Sequence, residues 1–166
     1  IAYSVQFGPK RAPDLARAAS LYAEHCAGCH GARGRGDGTQ AAGLDPRPSD
    51  FGDRERQRRR SVHGLFNTIT LGVEGTAMRA FKEIPESDRW GLAYLTANWG
   101  ATQEEIRRGS AHWKSGELRK LFASHATVAG TTAIELEAKH GASAVDVLAY
   151  LRGEPAALDR GKLSPI

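Results

Sequence analysis

The most specific chemical feature of the sequence is a pair of cysteines with a histidine directly after the second. The motif is Cys26-Ala27-Gly28-Cys29-His30, and it contains both cysteines of the chain. Thiols and an imidazole at this spacing serve three kinds of chemistry: a dithiol redox pair, half of a zinc site, or covalent attachment of haem. The three kinds of chemistry differ in the sequence context that they require around the motif.

Covalent haem attachment is the interpretation that fits this context best. A thioredoxin-like redox pair follows a β-strand, whereas the residues before Cys26 have the pattern of a helix. A structural zinc site needs a second pair of ligands at comparable spacing, and no third cysteine exists. In haem attachment, two thiols one helical turn apart reach the two vinyl groups, and the adjacent imidazole lies under the iron. The motif therefore predicts one covalent haem c, held by Cys26 and Cys29, with His30 as an iron ligand.

A six-coordinate haem iron needs a second axial ligand, which Met or His usually supplies. The chain has one methionine, Met78, within Gly75-Thr76-Ala77-Met78-Arg79-Ala80-Phe81. The small residues on either side would let the backbone approach a flat ring. We therefore predict that Met78 is the sixth ligand and that His63 is its main rival; no residue is predicted to be catalytic.

The helical pattern around these residues predicts an all-α fold. Asp14 is a plausible N-cap for a first helix whose buried stripe ends at Cys26. Glycines and prolines in residues 31–51 exclude a long helix and suit a loop along one side of the ring. The predicted stripe of the first helix consists of Leu15, Ala18, Ala19, Tyr22 and Cys26.

Further helical patterns follow along the chain. A helix carrying Val62, Leu65, Phe66 and Ile69 is expected to pack beside the haem and to end before Gly72 and Gly75. A closing helix is expected over residues 85–99, capped by Ser87. Three more patterns cover residues 103–112, 117–124 and 132–151, and Gly141 interrupts the last of them.

The overall composition is that of an ordinary globular protein, with 40% hydrophobic and 25% charged residues. A formal net charge of +4 is too small to indicate nucleic-acid binding, and no apolar stretch is long enough to span a membrane. The start at Ile1, without Met, suggests a mature protein or an excised fragment. The glycines near residue 34 lack the Gly-Lys-Ser/Thr ending of a phosphate-binding loop.

The densest charge lies in residues 53–60, where five arginines accompany two acids. Such a stretch is either a solvated helix face or a docking patch for an acidic redox partner. Glu104, Glu105, Glu135 and Glu137 are expected on solvated helix faces.

The haem also needs supporting groups. A backbone carbonyl of Pro46 or Pro48 is expected to accept the His30 Nδ1 proton. Candidate partners for the haem propionates are Arg33, Arg35, Arg79 and Trp90.

Taken together, residues 14–99 resemble a class I cytochrome c, with a helix before the attachment motif, a proline-bearing loop, a Met loop and a closing helix. In that family the first and last helices cross over small residues, and Ala18 stands where Gly is usual. We expect Gly91 on the closing helix to compensate for the added methyl group.

A narrower resemblance extends over nearly the whole chain, to the periplasmic cytochrome c domain that is fused to bacterial high-affinity iron permeases. The residues that carry it are 12–17, 34–38, 43–46, 48–51 and 67–76, with Trp113-Lys114-Ser115-Gly116 and Ala149-Tyr150-Leu151-Arg152 in the C-terminal part. The membrane helices of the permease are absent from this sequence.

These resemblances imply a periplasmic electron carrier, rather than a stand-alone enzyme, that serves a redox partner protein and is linked to iron oxidation and to uptake by an iron permease. Two alternatives remain open: a sensor or peroxidase-like domain with an open sixth position, and a docking module whose haem is structural. We expect a lead-in over residues 1–13, a haem domain over 14–100, a helical extension over 101–160 and a tail or linker over 161–166.

Overall fold

The computed structural model describes residues 7–160, and the regular secondary structure of this range is entirely helical. The all-α prediction is therefore confirmed. The predicted tail over 161–166 and the first six residues of the lead-in lie outside the described residues. Over the described range, no helix is both long enough and apolar enough to cross a membrane. The helices are α1 Leu15–His25, α2 Ala27–His30, α3 Arg54–Arg58, α4 Val62–Leu71, α5 Glu86–Ala97, α6 Gln103–Ser115, α7 His125–Gly130, α8 Ala133–His140, α9 Ala142–Gly153 and α10 Ala156–Arg160, with a 3₁₀ turn at Arg119–Leu121.

Local capping signals explain where the first helices begin and end. The Asp14 carboxylate accepts the backbone N–H of Arg17 at 3.0 Å, as expected for the N-cap of α1. Helix α4 ends at Gly72, whose φ of +69° favours glycine. The predicted Ser87 cap of α5 is wrong. Pro85 occupies the N-cap instead, and its carbonyl accepts the N–H groups of Asp88 and Arg89 at 3.0 Å, so Ser87 lies inside the first turn.

The C-terminal part differs more from the predicted pattern. The helix expected over residues 117–124 is wrong, because this segment holds only the 3₁₀ turn. The Ser124 hydroxyl accepts the N–H of Thr127 at 3.2 Å, and α7 therefore starts where the predicted helix was to end. Neither α7 nor α10 was predicted. The break at Gly141 is confirmed, with α8 before it and α9 after it.

The buried apolar side chains form two clusters that share the wall provided by α5. We call the larger one the main core; it joins α4 and one face of α5 to helices α6–α10. We call the smaller one the Met78 cluster; it consists of Tyr22, Phe51, Phe81, Ile84 and Leu92, with Met78 and Cys26 among the partly buried residues packed against it.

The clusters show which helix faces are buried within the protein. Of the four apolar residues of α4 that we expect to pack beside the haem, Val62, Leu65 and Phe66 lie in the main core, and Ile69 contacts both clusters; their contact with the haem stays a prediction. On α1, Ala18 and Tyr22 are buried as predicted, whereas Ala19 is exposed.

Helices α1 and α5 cross closely at two small residues, as the resemblance implied. A Cβ atom added at Gly91 would lie 3.1 Å from the Cβ of Ala18 and 3.4 Å from the carbonyl oxygen of Asp14. The methyl group of Ala18 therefore occupies the space that Gly91 leaves. This contact fixes the distance between the helix that leads into Cys26 and the helix that carries Leu92.

Replacing Gly91 by Leu should reduce the free energy of unfolding by roughly 1–3 kcal/mol, because the new side chain overpacks this crossing. Chemical denaturation of the holoprotein measures the loss. In a double-mutant cycle, Gly91→Ala should cost less when Ala18→Gly is also present, because the second change removes the opposing methyl group. Strictly additive effects would show that the two residues do not contact each other.

The arginine-rich stretch is turned toward the C-terminal helices rather than fully toward solvent. Arg54 on α3 forms a bidentate pair with Glu105 at the start of α6, and Arg58 pairs with Glu137 on α8. Glu105 also accepts the Thr102 N–H at 2.7 Å in a capping box. Glu105, expected on a solvated helix face, is thus mostly covered, with 21% of its side chain exposed, whereas Glu137 keeps 41% exposed beside its partner.

The bridge between Arg54 and Glu105 should make stability depend on pH. The hydrogen bond from Arg54 lowers the pKa of Glu105 to about 2, below its unfolded value. A depressed pKa stabilises the fold above the unfolded pKa, and that stabilisation disappears as the pH falls through the folded value. Glu105→Gln should thus cost about 1 kcal/mol at pH 6, since the site is solvent-screened, and progressively less between roughly pH 4.5 and pH 2.

Denaturation of the wild type and the variant across this pH range measures the difference. The matched control is Glu104→Gln, which removes the neighbouring charge in the same helical turn but leaves the bridge to Arg54 in place. An equal pH dependence in both variants would contradict the assignment to the bridge.

Candidate functional site

The end of α1 and the short helix α2 position the two cysteines and His30. The N–H of Cys26 donates to the carbonyl of Tyr22, and the N–H of His30 donates to the carbonyl of Cys26, both at 2.9 Å. This turn keeps Cys26 and Cys29 as free, half-buried thiols on the same side of the chain. Burial raises the pKa of Cys26 to about 11, so this thiol is protonated at neutral pH.

The imidazole of His30 is held in one orientation. Its Nδ1 lies 3.1 Å from the carbonyl oxygen of Ser49, and because a carbonyl only accepts, Nδ1 carries the proton. The ring also stacks on Phe51, with centroids 4.7 Å apart and an interplanar angle of 24°. Burial lowers the pKa of His30, which favours the neutral form that binds metals. Nε2 is left without a hydrogen bond to any residue in the 7–160 range.

The carbonyl that accepts from His30 belongs to Ser49 and not to the predicted Pro46 or Pro48, and this is a correction. The loop is fastened at this point, because Arg56 Nη2 donates to the Ser49 hydroxyl at 2.9 Å. Neither Ser49 nor Arg56 was identified from the sequence as part of the site. Every residue has a carbonyl, so only the path of the loop selects Ser49.

Met78 lies at the end of a compact loop that begins where α4 stops. The Val73 N–H donates to the Met78 carbonyl at 2.9 Å, and the Met78 N–H donates to the Thr76 hydroxyl at 3.1 Å. A Cβ atom at Gly72 would lie within 2.8 Å of this returning backbone. Glycine at residue 72 is therefore required both for the positive φ and for the close approach of the loop.

The structure brings one of the predicted haem-attachment cysteines and the predicted sixth ligand to the same apolar cluster. Cys26 and Met78 both pack against the Met78 cluster, although 52 positions separate them in the chain. His63, the rival ligand, lies elsewhere. Its ring is 5.2 Å from Phe7 and 6.4 Å from Trp90, next to the main core.

The residues present suit a covalently attached haem. The donor set consists of two free thiols, an imidazole with one nitrogen available and a thioether, which are the groups that c-type haem uses. The surrounding wall is aromatic and aliphatic, as a flat apolar macrocycle requires. Within residues 7–160, no three side chains of His, Cys, Asp or Glu are grouped closely enough to hold a metal ion.

The four candidate propionate partners fall in different places. Arg79 lies next to the Met78 cluster, with its guanidinium 3.9 Å above the Phe81 ring and a pair to Glu83. Trp90 stacks on Phe66 at 3.9 Å in the main core. Arg33 and Arg35 are exposed.

Comparison with known proteins adds an independent finding. Residues 13–95, half of the chain, match the family described as cytochrome c oxidase, cbb3-type, subunit III. No curated protein and no solved structure matches the chain. The matched residues contain α1, the cysteine motif, the Met78 loop and most of α5. The chain therefore belongs to this cytochrome c family: it is a class I c-type cytochrome that binds haem c covalently and transfers electrons to or from a redox partner.

Proposed function

We propose that this chain carries single electrons on one haem that is attached through Cys26 and Cys29 and ligated by His30 and Met78. The observation that supports this most directly is the common cluster against which Cys26 and Met78 pack. When bound, the haem supplies an iron that alternates between the ferrous and ferric states, and a thioether ligand favours the ferrous state.

The residues of the chain contribute orientation and exclusion of water. The Ser49 carbonyl accepts a hydrogen bond from the Nδ1–H group of His30, which keeps Nε2 unprotonated and able to bind iron. The hydrogen bonds within residues 73–78 hold the Met78 backbone, so a ligating thioether would move little between redox states. Tyr22 donates to the carbonyl of Gly31 at 2.6 Å and fixes the chain just beyond the motif.

The test compares Met78→Ala with His63→Gln in the purified holoprotein. Met78→Ala should keep its covalent haem in a pyridine haemochrome assay, lose the weak methionine-to-iron band of the ferric spectrum, and lower the reduction potential by on the order of 0.1 V. His63→Gln is the matched control, because His63 lies next to the main core, and it should leave the band and the potential unchanged.

Three other results would contradict the proposal. Loss of the band in His63→Gln alone would make His63 the ligand. A high-spin ferric spectrum in the wild type would indicate an open sixth position and favour a sensor or a peroxidase-like domain. Cys26→Ser combined with Cys29→Ser should abolish covalent haem, and retention of the haem would refute the attachment sites.

We further propose a periplasmic location and a role in iron uptake beside an iron permease. The support is the resemblance of residues 12–76 and of the C-terminal part to the cytochrome domain of such permeases. In this arrangement, residues 14–100 form the haem domain, residues 101–160 form a helical extension toward the permease, and the haem accepts or delivers an electron as ferrous iron is oxidised.

The iron link is tested by disrupting the gene for this chain and measuring uptake of radioactive iron in whole cells. Uptake should fall, and the wild type should restore it, whereas Cys26→Ser with Cys29→Ser should not. Normal uptake in the disrupted strain would refute the link to iron while leaving electron transfer intact. Rescue by Met78→Ala together with failure of a variant lacking residues 101–160 would favour a docking module with a structural haem.

A further inference from the structure

A small cavity lies where α3 and the end of α5 meet helices α6, α8 and α9. Its volume is about 80 Å³, and none of the residues that form the Met78 cluster lines it. Three arginines, Arg54, Arg58 and Arg152, are among the residues that line it. The mechanism proposed for the haem uses none of these three residues.

Arg152 differs from the other two because its charge is buried and no carboxylate of residues 7–160 pairs with it. The residue is 4% exposed. Its Nη2 donates to the carbonyls of Thr131 at 3.0 Å and Arg60 at 3.4 Å, and its buried Nε has no partner among the residues that the structure describes. Arg54 and Arg58, in contrast, pair with Glu105 and Glu137. Burying an unpaired charge is costly, so a counter-charge at Arg152 would be stabilising.

The acidic residues of the cavity wall do not supply that counter-charge. Asp146 lines the cavity but binds the Arg108 guanidinium, with 2.8 Å between Oδ2 and Nε. Glu105 also lines it and binds Arg54 and the Thr102 N–H. Both acidic residues of the lining are thus already paired with other groups. Burial lowers the pKa of Arg152 only to about 10, so the side chain stays charged at neutral pH.

We propose that this cavity binds one small oxyanion, a single phosphate or carboxylate group, on the guanidinium of Arg152. A volume of about 80 Å³ holds a few water molecules or one such group, since a water molecule takes up roughly 30 Å³ in the liquid. Because Nη2 donates to two carbonyls and Nε is fully buried, Nη1 is the Arg152 nitrogen that would donate to an oxygen atom of the anion. Arg58 adds positive charge, and the amide side chains of Gln57 and Asn98 line the same wall.

The position of the cavity gives the bound anion a structural effect. Arg58 belongs to α3, which precedes the Met78 loop, whereas Arg152 belongs to α9. An anion between them would link the two parts of the chain, as the pair between Arg54 and Glu105 already does. Binding should therefore raise the unfolding temperature of the whole protein.

The test is thermal unfolding of the holoprotein at constant ionic strength, with sodium chloride replaced stepwise by inorganic phosphate in one series and by sodium acetate in another. A saturable rise in unfolding temperature is expected in at least one series, and the series that shows it identifies phosphate or carboxylate as the source of the oxyanion. A linear change, or none, in both series would overturn the proposal and leave a cavity that holds water only.

Substitutions test whether the rise in unfolding temperature comes from binding in this cavity. Arg152→Gln and Arg58→Gln should each weaken the apparent affinity, Arg152→Gln by roughly tenfold or more. Arg107→Gln is the matched control, because Arg107 is an exposed arginine of α6 that pairs with Glu104 and does not line the cavity. If Arg152→Gln fails to fold, Arg58→Gln and the wild-type titrations still decide the outcome. Equal saturation in all the variants would refute this site.

Discussion

The crossing of α1 with α5 is the contact on which both parts of the structure depend. Ala18 and Gly91 approach so closely there that no second methyl group fits without displacement. Because α1 runs directly into Cys26, this distance sets where the cysteine motif lies relative to the closing helix. The Met78 loop, which is distant from the cysteine motif in sequence, packs against the same apolar cluster. Small residues at one point thus determine the geometry of a site built from distant segments.

Features governed by neighbouring residues could be predicted from the sequence. The Asp14 cap, the end of α4 at Gly72 and the break at Gly141 each follow from one side chain or one backbone angle. The close approach of Ala18 to Gly91 was also foreseeable, because the resemblance to class I cytochromes gives the register of those helices. The start of α5 was predicted within one residue, but its cap was assigned to Ser87 instead of Pro85, because serine and proline both favour helix starts and lie two positions apart here.

Features that depend on the tertiary path could not be predicted in this way. The choice of Ser49 as the partner of His30 depends on how a loop without helices folds back, and no side-chain property marks that carbonyl. The pairing of Arg54 with Glu105 joins residues 51 positions apart, and each looks like an ordinary surface charge in its own segment. For the same reason, the arginines of residues 53–60 lead to an overestimate of the positive surface charge. Much of its charge is neutralised within the molecule, so the potential that an incoming redox partner meets is weaker than composition implies.

The use of α5 by both clusters has a consequence for how the protein unfolds. Leu92 belongs to the Met78 cluster, while Ala93, Tyr94 and Ala97 belong to the main core. Unfolding of α5 would therefore disrupt both clusters. Loss of the packing that α9 provides would expose the side of α5 that lies opposite the Met78 cluster. The two parts of the chain are thus expected to unfold as one cooperative unit, so that a change in haem retention would also report damage in the C-terminal helices.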